Sequence, residues 1–238
     1  SQSKALTKSN MYDLSGGFTH ARKRHMLQAR IRGSYGTQMN RGTDGSTDRT
    51  DENTVSQLRR TRSDGDTKKM EVHVTLSQGL KNGGYISGMV VSDYSKNDRD
   101  GWEIDTLGTT SFRTNLRNAG DGSVWNVRGH ISFQKEISKS SSIGLLYNFN
   151  YRNERSKQRS VDFLNDPLGV LDLLNTYDYT VNASHNTLTL GYTFRPNRKV
   201  RFGAGIGGNV TVANRDERLP YDAYTPRTFW SVIPSLDF

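Results

Sequence analysis

The chain has 238 residues, of which 32% are hydrophobic, and its mean hydropathy of −0.77 is too low to fill a large dry core, yet 10% aromatics and only 5 prolines exclude a disordered polymer. With no cysteine it has no disulfide framework, thiol nucleophile or thiolate metal site, and no apolar run reaches the ~18 residues of a membrane helix. A net charge of +9, from 33 basic and 24 acidic residues, raises the question of nucleic acid, but the basic residues spread through turns, loops and polar strand faces, so no nucleic-acid partner is expected.

The dominant signal along the chain is a period of two, which means strands with one apolar and one polar face. Tyr12, Leu14 and Phe18 share one face, then Leu27, Ala29, Ile31 and Tyr35, then Met70, Val72, Val74 and Leu76. Residues 85–94 are ambiguous, with apolar residues on both faces. Over 124–135, Trp125, Val127, Gly129, Ile131 and Phe133 alternate with Asn126, Arg128, His130, Ser132 and Gln134. Next, Ile143, Leu145, Tyr147, Phe149 and Tyr151 oppose Gly144, Asn148, Asn150 and Arg152. Leu188, Leu190, Tyr192 and Phe194 follow, then Val200, Phe202, Ala204, Ile206, Val210 and Val212, and finally Trp230, Val232, Leu236 and Phe238. The expected fold is all-β, an antiparallel up-and-down meander of about nine strands. Several approach the roughly 9–11 residues that a tilted strand needs to cross a bilayer.

Short turns are expected near 22–25, 78–83, 136–141 and 195–199, and long polar loops over 36–68, 95–122, 153–179 and 213–228. Short and long connections alternate, so every long loop falls at one end of the sheet. Outer-membrane barrels have this asymmetry, whereas a soluble sandwich has no physical reason for it. In a bilayer each backbone N–H and C=O must be paired within the protein, the outward stripe must be apolar, and the inward face is free to be polar around water. Tyr12, Tyr35, Tyr85, Trp125, Tyr147, Tyr151 and Tyr192 are the candidate membrane-interface aromatics. Ordinary cross-strand aromatics of a soluble sheet are the competing reading.

Three stretches carry a family resemblance: EISKSSSIGLLYNFNYRNERS over 136–156, TLTLGYTFRPNRKVRFGAGIGGNVTV over 187–212, and LPYDAYTPRTFWSVIPSLDF over 219–238. They resemble the C-terminal barrel of TonB-dependent receptors, in particular the outer-membrane β-barrel family of Bacteroidetes. The resemblance implies one partial barrel domain over 1–238, truncated at both ends and lacking the plug domain. It also implies residence in the bacterial outer membrane and nutrient import driven by a TonB-type energy-coupling protein. The implied partners are outer-membrane lipid, the remainder of the barrel and the plug. The first residues show no basic-then-apolar leader, so a leader is expected either to have been removed or to lie in a longer protein of which this chain is a part.

Other motifs argue for little chemistry. Gly203, Gly205 and Gly208 match G-x-G-x-x-G, but they run into strand-like 209–212 where a dinucleotide site needs a helix. Asp98, Asp100, Gly101 and Asp105 evoke a calcium loop, without the acidic first position and final Glu it requires, and Asp44, Asp48, Asp51 and Glu52 read as solvated charge. His20, His25, His73, His130 and His185 fall at no ligand spacing. No enzyme activity, cofactor or metal is expected. The rivals to a transport receptor are a soluble or surface-exposed structural or adhesion protein with its hairpins packed as a sandwich, and a passive porin-like channel. A sandwich buries one face of every strand; a barrel wall leaves its apolar stripe uncovered by protein.

Overall fold

A computed structural model of the chain describes residues 2–49, 54–81, 83–107, 111–197 and 200–237. The strands are β1 (Gln2–Arg22), β2 (His25–Arg49), β3 (Thr54–Gly79), β4 (Gly84–Leu107), β5 (Ser111–Ser138), β6 (Ser141–Asp162), β7 (Val170–Leu171), β8 (Tyr177–Phe194), β9 (Phe202–Leu219) and β10 (Ala223–Asp237). All belong to one antiparallel sheet in the order β1-β2-β3-β4-β5-β6-β8-β9-β10, with the two-residue β7 pairing on β6. The sheet is open, because β1 and β10 are its unpaired edges. The all-β meander expected from the sequence is the fold observed.

The four short turns lie where the alternation breaks. Lys23, at φ 44°, takes the left-handed step between β1 and β2, and Gly83, at φ 71°, does so between β3 and β4. The turn between β5 and β6 is preceded by an irregular step at Glu136/Ser138, and residues 195–201 connect β8 to β9.

The long polar loops are a correction. Residues 36–49 continue β2, 54–68 continue β3, and 95–107 and 111–122 continue β4 and β5, paired throughout with one register shift at Asp105/Thr106. Strands β2 to β6 therefore run from 22 to 28 residues, well beyond the span of a bilayer. The long connection that remains among the described residues is 163–176, which carries β7. Backbone hydrogen bonding continues whether or not one face is apolar. Once both faces meet water, the period-two signal fades while the ladder persists. Polar cross-strand pairs hold these extensions, among them Gln57 Nε2 donating to Asp105 at 2.9 Å, Arg59–Glu103 at 2.8 Å, and Arg117 making a two-pronged contact with Asp100 at 3.0 and 3.2 Å.

Among the described residues no second layer covers the sheet. Val91, at 6% exposure, is the one buried hydrophobic side chain among the described residues, while Leu14 is 81% exposed, Trp230 76% and Leu236 75%. Among the described residues neither face of the sheet packs on another sheet, whereas the sandwich alternative requires one face of every strand to be buried.

Candidate functional site

Residues directly opposite one another in an antiparallel ladder project to the same face, so the register sorts every side chain into one of two surfaces. The row through Phe18, Ala29, Val74, Val90, Gly129, Phe149, Asn186, Val210 and Trp230 crosses all nine long strands. The next row towards the short turns contains Leu27, Leu76, Gly88, Ile131, Tyr147, Leu188, Gly208 and Val232. Together these rows and their neighbours form one continuous apolar band.

The band runs diagonally to the register. Its edge away from the short turns is marked by Tyr12 and Tyr35 in one row, Tyr94 and Trp125 one row lower, Tyr151 lower again, and Trp230 below that. Its other edge descends in step, from Phe18 on β1 through Ile86 and Phe133 to the Phe194–Phe202 pair of β8 and β9. The band thus steps by roughly one residue per strand, which at ~3.3 Å per residue and ~4.8 Å between strands corresponds to strands inclined by about 35° to it. Closed membrane barrels tilt their strands by roughly 35–45°. On β6 the band covers residues 143–151, and on β9 residues 202–212, within the span that crosses a hydrocarbon layer.

The aromatic candidates separate on this frame. Tyr12, Tyr35, Trp125 and Tyr151 lie at the aromatic edge, where the indole N–H of Trp125 donates to Ser92 Oγ at 2.9 Å and the Tyr151 hydroxyl donates to Asn182 Oδ1 at 3.2 Å. Tyr192 lies near the opposite edge and donates to Ser141 Oγ at 3.0 Å. Tyr147 is in the middle of the band, its hydroxyl donating to Asn186 Oδ1 at 2.8 Å. Tyr85 is registered with Gln134 and belongs to the other face. Sequence reasoning missed Tyr94 and Trp230. Tyr94 closes the segment read as ambiguous, and its edge position follows from pairing with Trp125, which only the register supplies.

The opposite face is polar over most of β2 to β9, while on β10 it carries Phe229 and Ile233. One of its rows reads Arg30, His73, Val91, Arg128, Asn150, His185 and Thr211, and the row beside it Gln28, Thr75, Met89, His130, Asn148, Thr187 and Asn209. Asn126 Nδ2 donates to Asp93 at 2.6 Å, Ser87 and Ser132 share a bond of 2.6 Å, and His185 lies between Thr211 at 2.7 Å and Thr187 at 3.2 Å. The histidines at 73, 130 and 185 thus share a face but not a site: no group of three or more metal-ligating side chains occurs among the described residues. Gly203, Gly205 and Gly208 lie within β9, with no helix after them. Asp98 and Asp100 lie within β4, a strand where a calcium loop was considered, with Lys96 at 3.1 Å from Asp98. Of the acidic group near residue 50, Asp51 and Glu52 lie outside the described residues.

No protein-family model matches the chain, and no curated protein matches it. Among solved structures it is similar to BauA, the ferric preacinetobactin receptor from Acinetobacter baumannii, at a TM-score of 0.46 and 11% identity, covering 98% of this chain and 44% of that one. It is also similar to the ferric citrate transporter FecA in its unliganded form, at 0.38 and 6%, covering 96% and 41%. The translocator domain of the autotransporter NalP from Neisseria meningitidis aligns at 0.24 and 9%, over 98% of this chain and 86% of that domain. The chain spans less than half the length of the two receptors.

Proposed function

We propose that this chain is part of the wall of a bacterial outer-membrane β-barrel, and that the protein is a receptor importing a nutrient by TonB-dependent uptake. One observation carries the barrel reading: a continuous apolar band, uncovered by protein, one bilayer tall and inclined as a closing barrel requires. Exposed apolar patches of this extent otherwise mark an aggregating surface. In hydrocarbon the same band is the favourable one, and the polar face opposite it lines a water-filled interior. The unpaired edges β1 and β10 would then take further strands of the same wall.

The finer reading, TonB-dependent uptake, is supported by the resemblance of residues 136–156, 187–212 and 219–238 to such receptors. It brings with it a plug domain inside the barrel and a TonB-type coupling protein. The activity assigned is transport, with the long hairpins beyond the aromatic edge capturing the nutrient. Fractionation of expressing cells tests the barrel. The proposal expects recovery in the outer membrane with a heat-dependent shift in gel mobility. A soluble, β-rich product without that shift would contradict it. Loss of nutrient uptake on deleting a TonB-type partner tests the finer reading; unchanged uptake counts against it.

A further inference from the structure

The row that carries Tyr12 and Tyr35 at the aromatic edge continues through Lys68, Lys96, Ser123 and Arg155, which lie just beyond that edge on their own strands and on the face that carries the apolar band. The row inside it is Met70, Tyr94, Trp125 and Asn153. Three cations thus adjoin the band on β3, β4 and β6 with no carboxylate between them; the row's one acid, Asp216, lies two strands beyond Arg155, on β9. On these same strands the acids stand one row further out, at Asp66, Asp98 and Asp121, where β6 contributes Lys157. Lys96 is held by Asp98 at 3.1 Å, but neither Lys68 nor Arg155 has a carboxylate partner among the described residues; Lys68 has the Tyr35 ring, 6.0 Å from its ammonium. Lys68 and Lys96 are direct cross-strand partners, and like charges so placed repel. That arrangement is unfavourable in water and favourable beside an anion.

Resting on the barrel reading, we propose that Lys68, Lys96 and Arg155 bind the phosphates of anionic lipid headgroups in the leaflet that meets the aromatic edge. The occupant follows from position. A bilayer places its phosphates directly outside the hydrocarbon and at the level of interfacial aromatics. Basic side chains at that level gain affinity for each negative headgroup they meet. The barrel would then be seated by two contacts on one face, the apolar band in the acyl chains and the basic row in the phosphate layer.

The test uses the full chain folded in neutral detergent, titrated with dihexanoyl phosphatidic acid, dihexanoyl phosphatidylcholine or sodium phosphate and read by tryptophan fluorescence, since Trp125 adjoins the row. Phosphatidic acid should bind at least about tenfold more tightly than phosphatidylcholine. The triple variant Lys68→Gln, Lys96→Gln, Arg155→Gln should erase that preference. Lys68→Gln alone, which removes a repulsion and leaves the fold intact, should lose several-fold. Equal affinity for the two lipids, or an undiminished preference in the variants, overturns the proposal. Binding of inorganic phosphate as tight as that of phosphatidic acid also overturns it, by making the row a free-anion site. In each of these arms a retained heat-dependent mobility shift shows that the barrel reading stands. Its loss in the unmodified chain would sink that reading instead.

Discussion

Phe149 and Asn148 are neighbours in the chain, yet they project to opposite faces: Phe149 is registered with Gly129 in the band, and Asn148 with His130 on the polar surface. The account therefore predicts opposite responses to the same substitution. Phe149→Arg should destabilise the chain folded in lipid vesicles by roughly 2–4 kcal/mol, the cost of arginine near a bilayer midplane. Asn148→Arg should be nearly neutral, and urea titration of the vesicle-folded variants measures both. Far from the band, in the connection 163–176, Asp172 accepts from Asn175 Nδ2 at 2.7 Å and from the Leu174 N–H at 3.0 Å. The Asn175 side chain, joined by the backbone N–H groups of Leu174 and Asn175, holds the Asp172 carboxyl below the usual carboxylate range. A depressed folded pKa means that this ordering is fully present above the ordinary carboxylate range and is lost as pH falls through the lowered value. The protection factors of the Leu174 and Asn175 amides, taken against the intrinsic exchange rate at each pH, should fall on that acid limb, and Asp172→Ala should leave both amides unprotected at every pH. Protection factors that stay constant with pH in the unmodified chain would contradict the assignment.

At the scale of the element, the central hairpin shows how a band of this kind packs without a core. Gly129 of β5 lies beneath the ring of Phe149: a Cβ built at Gly129 would stand 2.9 Å from Phe149 Cζ and collide with the Met89 carbonyl. Gly129→Val should therefore displace the ring and cost about 1–3 kcal/mol, read as a lower urea midpoint in vesicles. The polar extensions are separable from the band. Replacing residues 38–65 by an Asn-Gly turn joins Thr37 to Asp66, which are already registered partners, and should leave the heat-dependent shift intact. A lost shift would mean that the extensions are needed to fold the wall. These extensions also mark where the sequence stops being legible. Strands at 27–35, 143–151 and 188–194 declare themselves because one face is apolar and the other polar. At 95–107 and 111–122 both faces are polar, so KNDRDGWEID reads as a loop although it lies within β4.

For the whole molecule, the fold class and the pairing of neighbours were readable from periodicity and turn spacing, because each hairpin is local in sequence. The placement of the aromatics was not. Tyr85 and Tyr94 come from one segment with apolar residues on both faces, and only the register with Gln134 and Trp125 separates the polar face from the aromatic edge. The diagonal course of the band is likewise invisible in any single strand, since it is a relation among nine of them. That diagonal gives the central claim its sharpest consequence, because it assigns a depth to every residue. The chain contains no cysteine, so single cysteines can be placed along β6 from 143 to 152 without background. Each variant, folded in lipid vesicles, would carry a fluorophore quenched either by brominated acyl chains or by aqueous iodide. The account predicts strict alternation, with 143, 145, 147, 149 and 151 quenched by lipid and 144, 146, 148, 150 and 152 by iodide. Uniform quenching from water along the whole strand would contradict it, and the band would then be a surface awaiting protein.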